Sequence, residues 1–178
     1  MLYKEYNNMK KVVIFGLITM LLTSCFNKNS SQGDSLYKQE QIIEISPKVK
    51  MDDFTLKDLS GKNVSLSDFN NRVVIINFWA EWCGPCVEEM PSIENLHNKT
   101  DNKDVVVLAI NLAETESSVE KYITSNNYSF NVLLDSKREV ASLFNVRSIP
   151  STFIIDKQGY VVASKLGSHE WDSDGVIK

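Results

Sequence analysis

Val73-Val74-Ile75-Ile76-Asn77-Phe78-Trp79-Ala80-Glu81-Trp82-Cys83-Gly84-Pro85-Cys86 decides how this chain of 178 residues is read. The run from Val73 to Trp79 is almost wholly apolar, as a central strand covered on both faces requires. Residues after Cys86 take up helical spacing, so the two cysteines sit between a strand and a helix. A Cys-x-x-Cys in that place presents its first sulfur to the helix N-terminus, whose unpaired N–H groups and partial positive charge stabilise a thiolate. The thiolate is the form that attacks disulfides, and a second thiol one turn later can resolve the mixed disulfide. The spacing therefore marks Cys83 and Cys86 as a redox site.

Two plainer readings compete. Zinc takes about four ligands, and the only histidines of the chain are His97 and His169, neither with a ligand-spaced partner. No metal is expected. A bridge with a purely structural purpose closes too small a loop here to constrain the unfolded chain much.

The third cysteine lies in an address segment. Lys10-Lys11 precede an apolar run over residues 12–22, broken by Gly16 and Thr19, and Leu22-Thr23-Ser24-Cys25 closes it. A basic start, a short apolar run and a small-residue site describe a secretory leader. The run is well short of the ~20 residues a spanning helix needs. Leu22-Thr23-Ser24-Cys25 resembles the bacterial lipobox, which implies a leader over 1–24 and lipidation of Cys25, with contact to the bilayer through that lipid. Met9 is an alternative start, because residues 1–8 fit no part of a leader.

The chain carries 19 basic and 23 acidic residues. Without Lys4, Lys10, Lys11 and Glu5 of the leader, 16 basic and 22 acidic residues remain, a formal charge of −6. That balance argues against nucleic acid, whose binding rests on a basic footprint. The remainder, about 150 residues, suits one ordinary domain and a spacer. Residues 26–46 are rich in Asn, Ser, Gln and Lys and read as a flexible tether, with a strand or helix possible in the last few. The domain is expected over 47–178.

Inside it the pattern is regular. Phe54-Thr55-Leu56 and Val64-Ser65-Leu66 flank a Gly61 turn and predict a hairpin. Val87, Met90, Ile93 and Leu96 predict one helix stripe, with Pro91 expected to kink it. Residues 105–110 predict a second buried strand, and 111–115 a loop. Ser117-Ser118-Val119-Glu120 fits a capping box opening a helix to about Ser125. Residues 132–134 read as a strand and 139–144 as a short helix. Residues 152–155 and 160–164 form a second hairpin about Gly159, and a last helix is expected from Trp171. The fold class is α/β: a central mixed sheet, helices on both faces and an N-terminal β-hairpin.

Phe78-Trp79-Ala80-Glu81-Trp82-Cys83-Gly84-Pro85-Cys86, with Ser148-Ile149-Pro150-Ser151-Thr152-Phe153 downstream, resembles the thioredoxin superfamily. Cys86-Val87-Glu88-Glu89-Met90-Pro91 and the leading hairpin resemble, more narrowly, the TlpA/ResA-like extracytoplasmic thiol–disulfide oxidoreductases, which include reductases serving cytochrome c maturation. The resemblance covers about residues 47–167. It implies that Cys83 attacks and Cys86 resolves, as a reversible Cys83–Cys86 disulfide, and that Pro150 is a cis-proline facing the sulfurs. It implies a substrate surface formed by Trp82, Gly84, Pro85, Ile149 and Pro150. A cis bond there would turn the Ile149 backbone outward, where an extended substrate can pair with it.

Glu89 matches the acidic residue three positions after the second cysteine in that subfamily, and is expected to handle protons for the pair. Cytoplasmic thioredoxins have a buried aspartate six positions before the first cysteine; this chain has Asn77, which cannot titrate. Glu88 and Glu89 face different directions on a helix, so at most one lines the site. Glu81, Glu88 and Glu89 put negative charge near the motif, with no Lys or Arg between Asn77 and Pro91. Anions oppose thiolate formation, and Gly84-Pro85 is the dipeptide of reducing thioredoxins, so a reductant is expected.

The resemblance implies disulfide-containing exported proteins as substrates, apocytochrome c among them, and a location in the bacterial cell envelope. A membrane thiol donor is implied, because no nicotinamide or flavin site is visible and no cofactor is expected. Two alternatives remain: a thiol-dependent peroxidase of the peroxiredoxin type, or a non-catalytic binding module of the same fold. Peroxiredoxins carry Thr three residues before their reactive cysteine, where this chain has Ala80.

Overall fold

The computed structural model describes residues 42–100 and 103–173. The expected leader over 1–24, Cys25 and residues 26–41 of the tether lie outside the described residues, as does the chain from 174. Eight strands form one mixed sheet: β1 (Ile43–Lys50), β2 (Thr55–Asp58), β3 (Asn63–Ser65), β4 (Val73–Trp79), β5 (Val105–Leu112), β6 (Asn131–Asp135), β7 (Ser151–Ile155) and β8 (Tyr160–Leu166). Their order across the sheet is β1-β8-β7-β4-β5-β6-β2-β3. The central pairs β4/β5 and β5/β6 are parallel, and the other pairs are antiparallel.

Among the described residues, three α-helices cover the sheet: α1 (Gly84–Lys99), α2 (Glu116–Asn126) and α3 (Glu139–Leu143), and a single 3-10 turn spans Leu66–Phe69. Because side chains alternate along a strand, β4 serves two cores. Val74, Ile76 and Phe78 join Val140, Ala141 and Phe144 on the α3 side. Ile75 and Trp79 join Met90, Ile93, Val119 and Ile123 on the side of α1 and α2. Asn77 shares the face of Ile75 and Trp79, and is the polar residue in that row. At roughly 1.5–3 kcal/mol per fully buried large apolar side chain, these two layers are the main source of stability.

The expected hairpins are present as β2–β3 and β7–β8, the first added to the sheet beside β6. Several boundaries differ. β1 starts at Ile43, inside the stretch read as tether; it is a largely exposed edge strand against β8, in which Ile43, Ile45 and Val49 alternate with polar residues but only Ile45 is partly buried. β5 runs on to Leu112, through residues read as a loop. The cap of α2 is Thr115, whose Oγ1 accepts from Ser118 N at 3.3 Å, not Ser117. Pro91 lies within α1 without ending it, and the buried stripe of that helix includes Glu89 and His97, while Val87 is half-buried. Residues 171–173 form a turn where a helix start was expected.

A one-residue shift in the β7/β8 register decides one further placement. Ile155 pairs with Val161, but Ile154 pairs with Ala163 and Thr152 with Lys165. The bulge turns Val161 to the α3 side and leaves Lys165 on the α1 side, in line with Thr152 and its partner Asn77.

Candidate active site

Cys83 is the N-cap of α1, with extended backbone (φ −91°, ψ 101°). Its N–H closes a turn on Ala80 O at 3.2 Å, and its carbonyl accepts from Val87 N at 3.0 Å. Pro85 falls in the first helical turn, where a missing N–H costs nothing because no intrahelical acceptor exists there. Cys86 N–H points at Cys83 Sγ at 3.3 Å. Cys83 and Cys86 are joined as a disulfide with Cα atoms 5.2 Å apart. The first sulfur thus occupies the place of a capping oxygen, and a thiolate formed there on reduction would receive a backbone N–H and the positive end of the helix.

Access to the two sulfurs is unequal. Cys86 is fully buried and Cys83 is 6 % exposed at the edge of the core. Gly84 and Pro85 are exposed, and Trp82 is 68 % exposed beside them. The Ile149–Pro150 peptide is cis, and Ile149 O lies 3.6 Å from Cys83 Sγ. Pro150 O accepts from Gly167 N at 2.9 Å, tying the loop to the end of β8. The structure therefore brings together Trp82, Cys83, Gly84, Pro85, Ile149 and Cys86, and Pro150 beside Ile149 in sequence is buried.

Glu89 and Glu88 separate completely. Glu88 is exposed, whereas Glu89 is 2 % exposed and points into the domain from α1. Its Oε1 accepts from Asn77 Nδ2 at 2.8 Å. Its Oε2 accepts from His169 N at 3.0 Å and Trp171 Nε1 at 3.1 Å. Burial raises the Glu89 pKa above its ordinary 4.5, opposed by the donors Trp171, Asn77 and His169 and by attraction to Lys165. Asn77 also donates to Thr152 Oγ1 at 2.9 Å. The row Asn77–Thr152–Lys165, laid across β4, β7 and β8, is thus the polar floor beneath α1.

Sequence reasoning reached Asn77 and Glu89 but not Thr152, Lys165, His169 or Trp171. A tryptophan in an otherwise polar tail was the available signal, because so large an apolar ring is seldom left in water. Glu114 was also missed. Its Oε2 accepts from Glu81 N at 2.9 Å and from Asn111 Nδ2, and so holds the backbone leading into the motif. Glu81 itself turns away to Ser118 Oγ at 3.0 Å.

Residues 47–164 match the AhpC/TSA family. The chain is 31% identical over 154 residues to the thiol-disulfide oxidoreductase ResA of Bacillus thuringiensis subsp. konkukian (strain 97-27), covering 86% of this chain and 88% of that protein. A solved Chlorobium tepidum protein described as a thiol:disulfide interchange protein, DsbE, superposes with a TM-score of 0.67 at 30% identity, covering 77% of this chain and 94% of its own. StoA of Bacillus subtilis gives 0.60 at 26% identity, covering 66% and 90%. The chain belongs to the AhpC/TSA family, has a thioredoxin-like fold, and is a ResA-like thiol–disulfide oxidoreductase.

Proposed function

We propose that this oxidoreductase is held to the membrane by a lipid on Cys25 and reduces disulfides of exported proteins in the cell envelope, apocytochrome c being one candidate substrate. In this reading residues 1–24 are a leader, the stretch after Cys25 is a spacer, and the domain from about residue 47 carries the chemistry. The observation that carries the reductase reading is Cys83 at the N-cap of α1, its sulfur facing Cys86 N–H and Ile149 O.

The reaction follows from that geometry. In the reduced enzyme the Cys83 thiolate attacks one sulfur of a substrate disulfide, forming a mixed disulfide and releasing the other sulfur as a thiolate. Cys86, deprotonated in turn, attacks Cys83 Sγ. The second substrate thiolate leaves, and the Cys83–Cys86 bond forms. Two electrons pass to the substrate, and a membrane thiol donor returns two to the enzyme. Glu89 is the carboxyl suited to taking up the Cys86 proton, because Asn77 cannot. Trp82, Gly84, Pro85 and the Ile149–Pro150 segment surround the exposed side of the pair and suit contact with an extended substrate strand.

Its direction as a reductant is supported by the buried carboxylate of Glu89 on the same helix as the pair, which opposes the thiolate and so weakens the enzyme as an oxidant. A peroxidase reading is disfavoured by Ala80 at the position where peroxiredoxins carry threonine. The test is a trap: Cys86→Ala should accumulate protein partners disulfide-linked to Cys83 in the envelope, identifiable by mass spectrometry. A trap that captures no protein, while the purified variant consumes peroxide, would replace this reading with the peroxidase.

A further inference from the structure

We propose that Trp171 is a positioning residue for the redox couple, its indole N–H fixing the Glu89 carboxylate through a strap, His169–Asp172, laid along α1. The proposal rests on the reading above, in which Glu89 exchanges protons with the sulfurs.

The strap is fastened at successive turns of α1. At Glu89, His169 N and Trp171 Nε1 both donate to Oε2. At Ser92, Trp171 N donates to Oγ at 3.2 Å, and the hydroxyl lies 3.2 Å from His169 O and 2.8 Å from Glu89 O. Asn95 Nδ2 donates to Asp172 Oδ2 at 2.9 Å, and Lys99 Nζ donates to Asp172 O at 2.7 Å. The His169 ring stands edge-on to the indole with centroids 5.0 Å apart.

Trp171 is 1 % exposed, so filling space is one part of its role. The direction of its N–H is the other. A buried carboxylate without donors is expensive, and this one has a donor from β4 on one oxygen and two from the strap on the other. The strap therefore supplies the greater part of its hydrogen bonding. Among the described residues, the charged and titratable groups beside it are Lys165 from β8 and His169 on the strap, which also carries exposed Glu170; Cys83 and Cys86 precede it at the start of α1. Asn77 and Thr152 from β4 and β7 are neutral. Of these only Lys165 adds attraction, and burial holds His169 below its ordinary 6.5, towards the uncharged form.

Trp171→Phe keeps a ring in place and removes the donor. Losing one hydrogen bond to a buried carboxylate should raise the Glu89 pKa by about one pH unit. Carbon-13 NMR of glutamate-labelled, reduced full-length protein reads that shift directly, and iodoacetamide kinetics across pH reads the Cys83 thiol. We expect the carboxyl titration to move up, the apparent Cys83 pKa to move down, and two coupled steps to persist, whereas Glu89→Gln shows one step. Ser92→Ala, which unfastens the strap without touching the carboxylate, should shift Glu89 the same way by less. An unchanged Glu89 titration in folded Trp171→Phe, or in Ser92→Ala if the first variant does not fold, overturns the proposal whatever the loss in Tm. A carboxyl that shifts while the Cys83 profile stays put keeps the strap and removes the coupling of Glu89 to the sulfurs.

Discussion

Asn77 Nδ2 lies 2.8 Å from Glu89 Oε1, so a neutral amide on β4 donates to a carboxyl on α1. The amide thus satisfies one oxygen of a carboxyl that the fold buries. Asn77 Oδ1 is buried with no hydrogen-bond partner, as expected of an amide oriented by its donor side. This relationship makes Glu89 a buried acid with defined partners.

Cys83→Ser should abolish reduction of insulin disulfides, and Cys86→Ser should stall at mixed disulfides. In the reduced protein Cys83 should alkylate far faster than Cys86, which is fully buried. Peptide mapping after brief iodoacetamide treatment reads both rates, and equal rates would argue against the division of roles.

Glu89→Gln should change how stability depends on pH. The folded-state pKa of Glu89 is raised above 4.5, so the folded state binds this proton more tightly than the unfolded chain. Its contribution is complete below 4.5 and is lost as pH rises through the folded value. Urea midpoints of the native protein should therefore carry a falling component over that window, absent from Glu89→Gln. The glutamine amide can be accommodated because Asn77 can turn its unpaired Oδ1 to accept it. Parallel curves for the two proteins would contradict the assignment.

Lys165→Met should raise the Glu89 pKa further, since it removes the attraction that favours the carboxylate. The acid limb of the activity profile should move to higher pH with little change in KM for a small disulfide. Leu166→Met, an exposed neighbour on the same strand, is the control and should move neither.

Asp135→Ala should destabilise the domain by about 2–4 kcal/mol. Asp135 is 1 % exposed, and its two oxygens accept from Glu139 N at 2.9 Å and Ala141 N at 2.8 Å at the start of α3. Arg138, the residue before that helix, supplies no side-chain cap. Asp135→Asn should recover part of the loss, and denaturant titration of the three proteins measures it.

Cys25→Ser should abolish uptake of labelled fatty acid and release the protein from the membrane fraction. Label that persists in this variant would exclude lipidation at Cys25.

The sequence alone determined the redox pair, its junction of strand and helix, the order of the elements from β2 to β8 and both hairpins, because each rests on local periodicity and turn chemistry. It also singled out Asn77 and Glu89, though spacing along a helix could not say whether Glu89 faced the sheet or water. Tertiary structure decided that, by seating Glu89 over Asn77 and beneath Trp171, 82 residues away in sequence. It also decided the place of Lys165, because the bulge opposite Ile154 and Ile155 breaks the strand alternation by which a sequence assigns faces. Edge strand β1 was obscured differently: Ile43, Ile45 and Val49 alternate along it, but it buries little apolar surface and follows a polar stretch, so its backbone pairing with β8 is what holds it as a strand. Local rules reach the atoms of one element, while the ionisation of Glu89 is set first by its burial and then by opposing donors from β4 and the strap and the charge of Lys165 on β8, which only the folded chain brings together.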